Sequence, residues 1–328
     1  MPLLRERLVR ASVVIRTLNE AEHLDDLMRM IARQVTPDFD VETVLVDSGS
    51  KDGTVEIARR HGARITTISK SEFSFGRSLN RGCGFAAGDL LVFVSGHCVP
   101  ADEHWLARLC RPLLDGRAHY TYGRQIGDDR SNYSERRIFA KYYPETSQLP
   151  QADFFCNNAN SALLRAVWEA YPFDETLTGL EDMDLAKRLT ATGMRIGYVA
   201  EAAVFHHHQE TWREVKRRFE REALALRSIM PEVHLSWLDV LRFVAVSAVG
   251  DWRSARRNGT TSTPLTGMIR YRWSQFSGSY KGNHEHRILS QSAKERFFYP
   301  NISREADQDE WLKPMRRTAP NEIEQPEG

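Results

Sequence analysis

The stretch Ala87 to Pro100, AGDLLVFVSGHCVP, reads as a buried strand that runs out into a polar turn. Leu90 to Val94 holds only Leu, Val and Phe, a run that suits a strand covered on both faces of a parallel sheet. Ser95-Gly96-His97-Cys98 follows it. In such sheets ligands sit outside the carboxyl ends of the strands, where strand order reverses. The turn after this strand is therefore a place for chemistry.

The chain before it repeats the same unit. Ala11 to Ile15 is a strand that opens into Arg16-Thr17-Leu18-Asn19-Glu20, and Leu24, Leu27, Met28 and Ile31 then recur at helical spacing. Val41 to Val46 ends in Asp47-Ser48-Gly49-Ser50-Lys51-Asp52-Gly53, ahead of a helix to His61. Arg64 to Ile68 is a third strand and Gly76 to Ala87 a third helix. Strands alternating with helices predict an α/β fold around a parallel sheet.

The second part is less regular. A helix is expected over 105–114, a short strand over 119–122, a strand after the polar run 157–160, a helix over 181–192, and two strands over 195–199 and 202–205. Residues 127–152 show no clear period. His206-His207-His208 closes the last strand, and helical spacing resumes from Glu210. These boundaries predict a domain over 1–230, a helical extension over 231–304 and a disordered tail over 305–328.

Composition narrows the class. Charged residues make up 27% and the formal net charge is +1, so no global field draws the chain to nucleic acid. Cys83, Cys98, Cys110 and Cys156 form no CxxC pair, which predicts buried, reduced thiols rather than a zinc site. The charged N-terminus lacks the apolar core of a signal peptide, and no run reaches the roughly 18 apolar residues of a spanning helix. The expectation is a cytoplasmic protein. Residues 235–257, apolar and ending in Arg253, Arg256 and Arg257, are the candidate for peripheral contact with the inner face of the membrane.

The motifs SVVIRTLNE (12–20), VLVDSGSKDGT (44–54), FSFGRSLNRG (73–82), GDLLVFVSGHCVP (88–100), YGRQ (122–125), FCNNANSALLR (155–165) and FDETLTGLEDMDLAKRL (173–189) follow one another in an order that resembles family 2 glycosyltransferases of the GT-A fold. The likeness is strongest to the bacterial rhamnosyltransferase-like branch. It covers residues 11 to 230 well, and YRWSQFSGSYKGN (271–283) resembles the helical tail of that branch. It implies a mixed, Rossmann-like sheet flanked by helices. It also implies inverting transfer of a sugar from a nucleotide-sugar donor to a hydroxyl of a glycan or lipid-linked acceptor in surface polysaccharide synthesis.

Such an enzyme must hold a nucleotide diphosphate, neutralise it as it leaves and deprotonate the acceptor. Arg16, Thr17, Asn19 and Glu20 lie beside Asp47, Ser48 and Asp52 if the first two strands are neighbours, and these offer acceptors for base and ribose. Asp52 equally suits a helix cap. Arg77 and Asn80, early in the third helix, are candidates for the diphosphate. The resemblance puts the general base at Asp182, with Glu181 beside it positioning the acceptor or, one position earlier, itself the base. Arg124, Asn157, Asn158 and Asn160 are candidates for the acceptor.

GT-A enzymes generally carry a DxD-type motif after the fourth strand, for Mg²⁺ or Mn²⁺. Here Ser95-Gly96-His97 offers no carboxylate. Three readings stay open. His97 and His206, with His208 in reserve, hold a divalent metal, imidazole suiting Mn²⁺ better than Mg²⁺. A protonated His97 replaces the metal. Or the site is degenerate and the protein binds a nucleotide-sugar or glycan without turnover. A nucleotidyltransferase on the same fold would need a lysine- and glycine-rich first loop, which Arg16-Thr17-Leu18-Asn19 does not supply.

Overall fold

The computed structural model describes residues 9–127, 131–207, 210–260 and 264–285. The expected alternation is present: β1 (Val9–Thr17), α1 (Ala21–Ala32), β2 (Phe39–Asp47), α2 (Thr54–Arg60), β3 (Arg64–Thr67), α3 (Phe75–Phe85) and β4 (Leu90–Ser95). Then come β5 (Cys98–Pro100), α4 (Trp105–Leu114), β6 (Tyr120–Gly127), α5 (Tyr133–Tyr142), β7 (Asn160–Leu164), α6 (Arg165–Ala170), α7 (Glu181–Ala191) and β8 (Ile196–His206). Three helices follow: α8 (Trp212–Ile229), α9 (Trp237–Arg257) and α10 (Leu265–Asn283).

One sheet runs in the order β3-β2-β1-β4-β7-β6-β8-β5. Its first four strands are parallel, while β7 lies antiparallel to β4 and to β6. The chain moves outward from β1 through β2 to β3, then returns to place β4 on the other side of β1. The reversal point lies between Arg16 and Ser95, which are register partners at the ends of β1 and β4. The predicted site therefore stands at the switch point of the sheet.

The all-apolar strands are buried on both faces, as period two requires. Val13, Ile15, Val92 and Val94 face one layer with Leu24, Leu27 and Leu109. Val14, Leu91 and Phe93 face the other with Leu79, Leu185 and Leu189. All four cysteines are buried and free.

Three segments differ from the expectation. Residues 133–142 form α5, whose buried face includes Ser134 and Glu135, so no apolar period marks it. The two strands expected over 195–205 are one strand, β8, in which exposed Glu201 interrupts the buried pattern. The turn after β4 is short, because Cys98 already belongs to β5 and pairs with His206. The tail 305–328 and His208 lie outside the described residues.

α8 and α10 pack backbone to backbone. A Cβ on Gly278 would meet the Lys216 carbonyl oxygen at 2.3 Å, and one on Gly282 the Glu220 oxygen at 2.0 Å. α9 is tied to α10 by a buried fork in which Arg272 Nε and Nη2 donate to the two oxygens of Asp251, at 2.7 and 2.9 Å. Arg218 Nη2 pairs with Glu135 of α5 at 2.8 Å, linking these helices to the sheet domain.

Candidate active site

The two turns expected to hold the nucleotide lie side by side, because Thr17 and Asp47 are register partners. Their polar groups are largely engaged with one another. Asp47 accepts from Thr17 Oγ1, Ser50 Oγ and the Gly49 and Ser50 N–H groups. Ser48 Oγ donates to the Thr17 carbonyl at 3.0 Å. Asn19, held at φ 57°, donates its N–H to Ser50 Oγ and accepts from the Lys51 N–H. Asp52 accepts from the Ala21 and Thr54 N–H groups, the first of α1 and of α2. Burial works against its charge, but these hydrogen bonds hold its carboxyl below the usual range. Asp47, Ser48 and Asp52, expected as acceptors for base and ribose, thus build the shape of the turns.

At the switch point four side chains form a line. Glu20 Oε1 lies 3.0 Å from His97 Nδ1, His97 Nε2 lies 3.1 Å from His206 Nε2, and His206 Nδ1 lies 2.6 Å from Gln125 Oε1. The polarity of this line is set from its far end. The Ala159 N–H donates to Asn157 Oδ1, which also accepts from Gln125 Nε2, so Gln125 turns its oxygen to His206. His206 Nδ1 must then carry a proton, and its Nε2 presents a lone pair. On the other side the Glu20 carboxylate draws a proton to His97 Nδ1. Burial opposes a charged His97 ring, yet the nearby Glu20 prevails and its pKa is raised above the ordinary histidine value. Each ring is thus oriented by an acceptor on its Nδ1, and the two Nε2 atoms converge as a pair that shares one proton or one cation. Gly96 permits this, since a Cβ there would meet Glu20 Cγ at 2.8 Å. Among the described residues no three His, Cys, Asp or Glu side chains converge as ligands.

Across the end of the sheet, Leu180 sits at φ 57°, a conformation that costs a branched residue about 1–2 kcal/mol. It turns the chain so that Glu181 and Asp182 open α7, both buried. Asp182 accepts from the Asn158 N–H at 2.7 Å and from its neighbour's Met183 N–H at 2.8 Å. Burial, then the adjacent Glu181, outweigh these bonds and push its pKa up to about 7. Glu181 pairs with Arg16 Nη1 at 3.3 Å, and Arg16 also reaches the Phe75 carbonyl.

Several of the residues expected as contacts are engaged with other groups of the chain. Asn80 donates to the Phe173 carbonyl and Glu175, and accepts from the Trp168 indole and the Phe173 N–H, tying α3 to the 168–175 segment. Arg77 is held by Glu175 at 2.7 Å and by the Glu72 carbonyl. Asn160 is sealed in the sheet, bonding Trp105 Nε1 and the Arg124 and Ala202 carbonyls. Asn158 takes hydrogen bonds on its Oδ1 from Tyr120 and Ser161. Arg124 pairs with exposed Glu145. Only Asn157 and Asn158, through Gln125 and Asp182, touch the two centres described above. Gln125 was missed as a site residue, although it lies in the quoted YGRQ motif; its role depends on β6 running beside β8, which no local pattern shows.

Residues 12–171 match the model of glycosyl transferase family 2. The O-antigen chain rhamnosyltransferase WbaN of Salmonella anatum is 28% identical over 190 residues, 54% of this chain and 60% of that protein. The chain therefore spans about three fifths of that relative's length. The O-antigen chain rhamnosyltransferase RfbN of Salmonella typhimurium is 27% identical over 225 residues, 64% of this chain and 70% of that one. The solved mannosyltransferase PcManGT of Pyrobaculum calidifontis, in complex with GDP-Man and Mn²⁺, superposes with TM-score 0.61 at 15% identity, covering 85% of this chain and 88% of that one. The fold is thus GT-A, with a helical C-terminal region.

Proposed function

From a chain that carries a family 2 glycosyltransferase domain, we propose an inverting enzyme that moves a sugar from a nucleotide-sugar donor to a hydroxyl of a glycan or lipid-linked acceptor in surface polysaccharide synthesis. The observation that carries this reading is Asp182, a buried carboxyl that opens α7 beside Glu181 and takes the Asn158 N–H, with burial and Glu181 pushing its pKa up to about 7. A base so tuned takes a proton readily at neutral pH. The acceptor hydroxyl gives its proton to Asp182 as its oxygen bonds to the anomeric carbon, and the bond from that carbon to the nucleoside diphosphate breaks on the opposite face. Glu181, steadied by Arg16, positions the acceptor.

This reading includes a divalent cation, supported by two converging imidazole nitrogens. His97 and His206 would hold it through their converging Nε2 atoms, and imidazole favours a Mn²⁺-type ion over Mg²⁺. Its chemistry is to neutralise the departing diphosphate. The Salmonella relatives and the Mn²⁺- and GDP-Man-bound Pyrobaculum enzyme support this donor class.

The transferase domain is taken as 1–230, with 231–304 as an extension that carries a membrane-facing surface. No helix among the described residues is long and apolar enough to cross a membrane. The outer face of α9 nevertheless exposes Leu238 (76%), Leu241 (47%), Val246 (66%) and Val249 (42%). Arg242, Arg253, Arg256 and Arg257 are exposed on the same helix. Its acidic groups are withdrawn, Asp239 into a capping box and Asp251 onto Arg272. Apolar residues flanked by arginine suit the interface of an anionic membrane on the cytoplasmic side.

The test is release of free nucleotide from a panel of UDP-, GDP-, dTDP- and CMP-sugars with an acceptor present. Turnover of at least one donor is expected; binding without release from any of them would leave a non-catalytic sugar-binding protein.

A further inference from the structure

α8 passes over the loop that leads into α7. Thr178 Oγ1 donates to the Arg221 carbonyl at 3.3 Å, and a Cβ on Gly179 would lie 3.7 Å from Arg221 Nε. The guanidinium carbon of Arg221 stands 4.7 Å from the centre of the Phe75 ring, and that of Arg16 stands 4.9 Å from the same ring. Two guanidinium groups therefore gather about one aromatic side chain at the start of α3, beside Glu181.

The two are not equivalent. Arg16 is answered by Glu181 and the Phe75 carbonyl. Arg221 Nε is closed off from solvent with no hydrogen-bond partner. Burial lowers the Arg221 pKa from its usual value, against the pull of Glu222, Glu210 and Glu181. Stacking on Phe75 satisfies the face of the group but not the N–H donors in its plane. A buried charged donor left unmet costs on the order of a few kcal/mol, and such groups are retained where something binds them. The forked guanidinium matches phosphate oxygens in pairs.

We infer that Arg221 and Arg16, brought together around Phe75, form a diphosphate-binding pair, and that α8 thereby completes the active site. This rests on the transferase reading, which supplies two sources of a diphosphate: the nucleotide of the donor and the lipid carrier of an acceptor. Both present the same chemistry to Arg221.

The experiment is calorimetric titration of the full chain with inorganic pyrophosphate, with nucleoside diphosphates and with farnesyl diphosphate, for wild type, R221Q and R221K. Wild type is expected to bind pyrophosphate. R221Q is expected to bind it at least tenfold more weakly, R221K to recover part of the loss, and the R221Q melting temperature to stay at or above that of wild type. A loss confined to nucleoside diphosphates assigns the pair to the donor; one confined to farnesyl diphosphate assigns it to the acceptor. Equal affinity in wild type and R221Q, or no pyrophosphate binding by wild type, overturns the inference. So does an R221Q chain that no longer folds, since Arg221 would then be structural. A wild type that binds pyrophosphate through Arg221 yet releases nucleotide from no sugar donor keeps the pair and removes the transferase reading.

Discussion

His97 and His206 meet Nε2 to Nε2 at 3.1 Å, each ring fixed by an acceptor on its other nitrogen, Glu20 for the first and Gln125 for the second. Such acceptors orient imidazoles toward a shared partner, and removing one typically weakens a metal site about 10–100-fold. EDTA is expected to suppress transfer, Mn²⁺ to restore it better than Mg²⁺, and Q125A to need at least tenfold more Mn²⁺ for half-maximal rate. Rates indifferent to EDTA would assign the shared partner to a proton.

Asp182→Asn keeps the size of the side chain and one of its two accepted N–H bonds, from Asn158 or Met183, but removes its basicity. Transfer is expected to fall at least about 100-fold, with nucleotide binding retained. A fully active variant would reject Asp182 as the base.

The pKa of Asp182 sets two pH trends. As a base it must be ionised, so kcat/KM should rise with pH and level off above an apparent pKa near 7. Stability runs the other way. Its folded pKa is about 7 against about 3.9 in an unfolded chain, so between these values the folded state holds a proton that the unfolded state has lost. The stabilisation from neutral Asp182 is complete below the lower value and is lost as pH rises through the upper one. The melting temperature of D182N relative to that of wild type should therefore rise between pH 4 and pH 8; a difference that does not change with pH contradicts the assignment.

Gly282→Val should separate α8 from α10, because even a Cβ there would lie 2.0 Å from the Glu220 oxygen. Overpacking of this kind costs about 1–3 kcal/mol or more. Thermal unfolding followed by circular dichroism would register the loss, whereas Gly250→Ala, in the interior of α9 with nothing within 4 Å, should cause none and raise stability by up to about 1 kcal/mol.

Leu241→Asp with Val246→Asp places two charges on exposed positions of α9, and the double variant is expected to fold, as circular dichroism would check. Wild type should pellet with vesicles containing phosphatidylserine and less with neutral ones; the double variant should stay in the supernatant. Equal pelleting would dismiss the α9 surface as the contact.

Strands whose every residue is apolar, such as 90–94, were legible because burial on both faces leaves no other composition. The loop sites were legible because polar residues follow such strands. The individual roles were less so. Asn80 and Asn160 are of a residue type that can bind a diphosphate or a sugar hydroxyl, but each meets backbone or indole groups brought to it from 42 to 93 residues away. Asp52 bonds the first N–H of α2, but the N-cap position itself is Gly53. α5 was hidden because its inward face carries Glu135, whose partner Arg218 comes from α8. Arg221 and Phe75 are 146 positions apart and become neighbours only in the folded chain.

The closeness of α8 and α10 bears on how this protein can be divided. Gly278 and Gly282 seat α10 on the backbone of Lys216 and Glu220, and the next residue after Glu220 is Arg221. A boundary drawn near residue 230 would keep Arg221 in the transferase portion but discard the helix that holds its segment down. Hybrids that exchange acceptor preference between related chains should therefore be joined beyond Asn283, inheriting both helices from one parent, or the segment that carries Arg221 will rest on a helix that was never fitted to it.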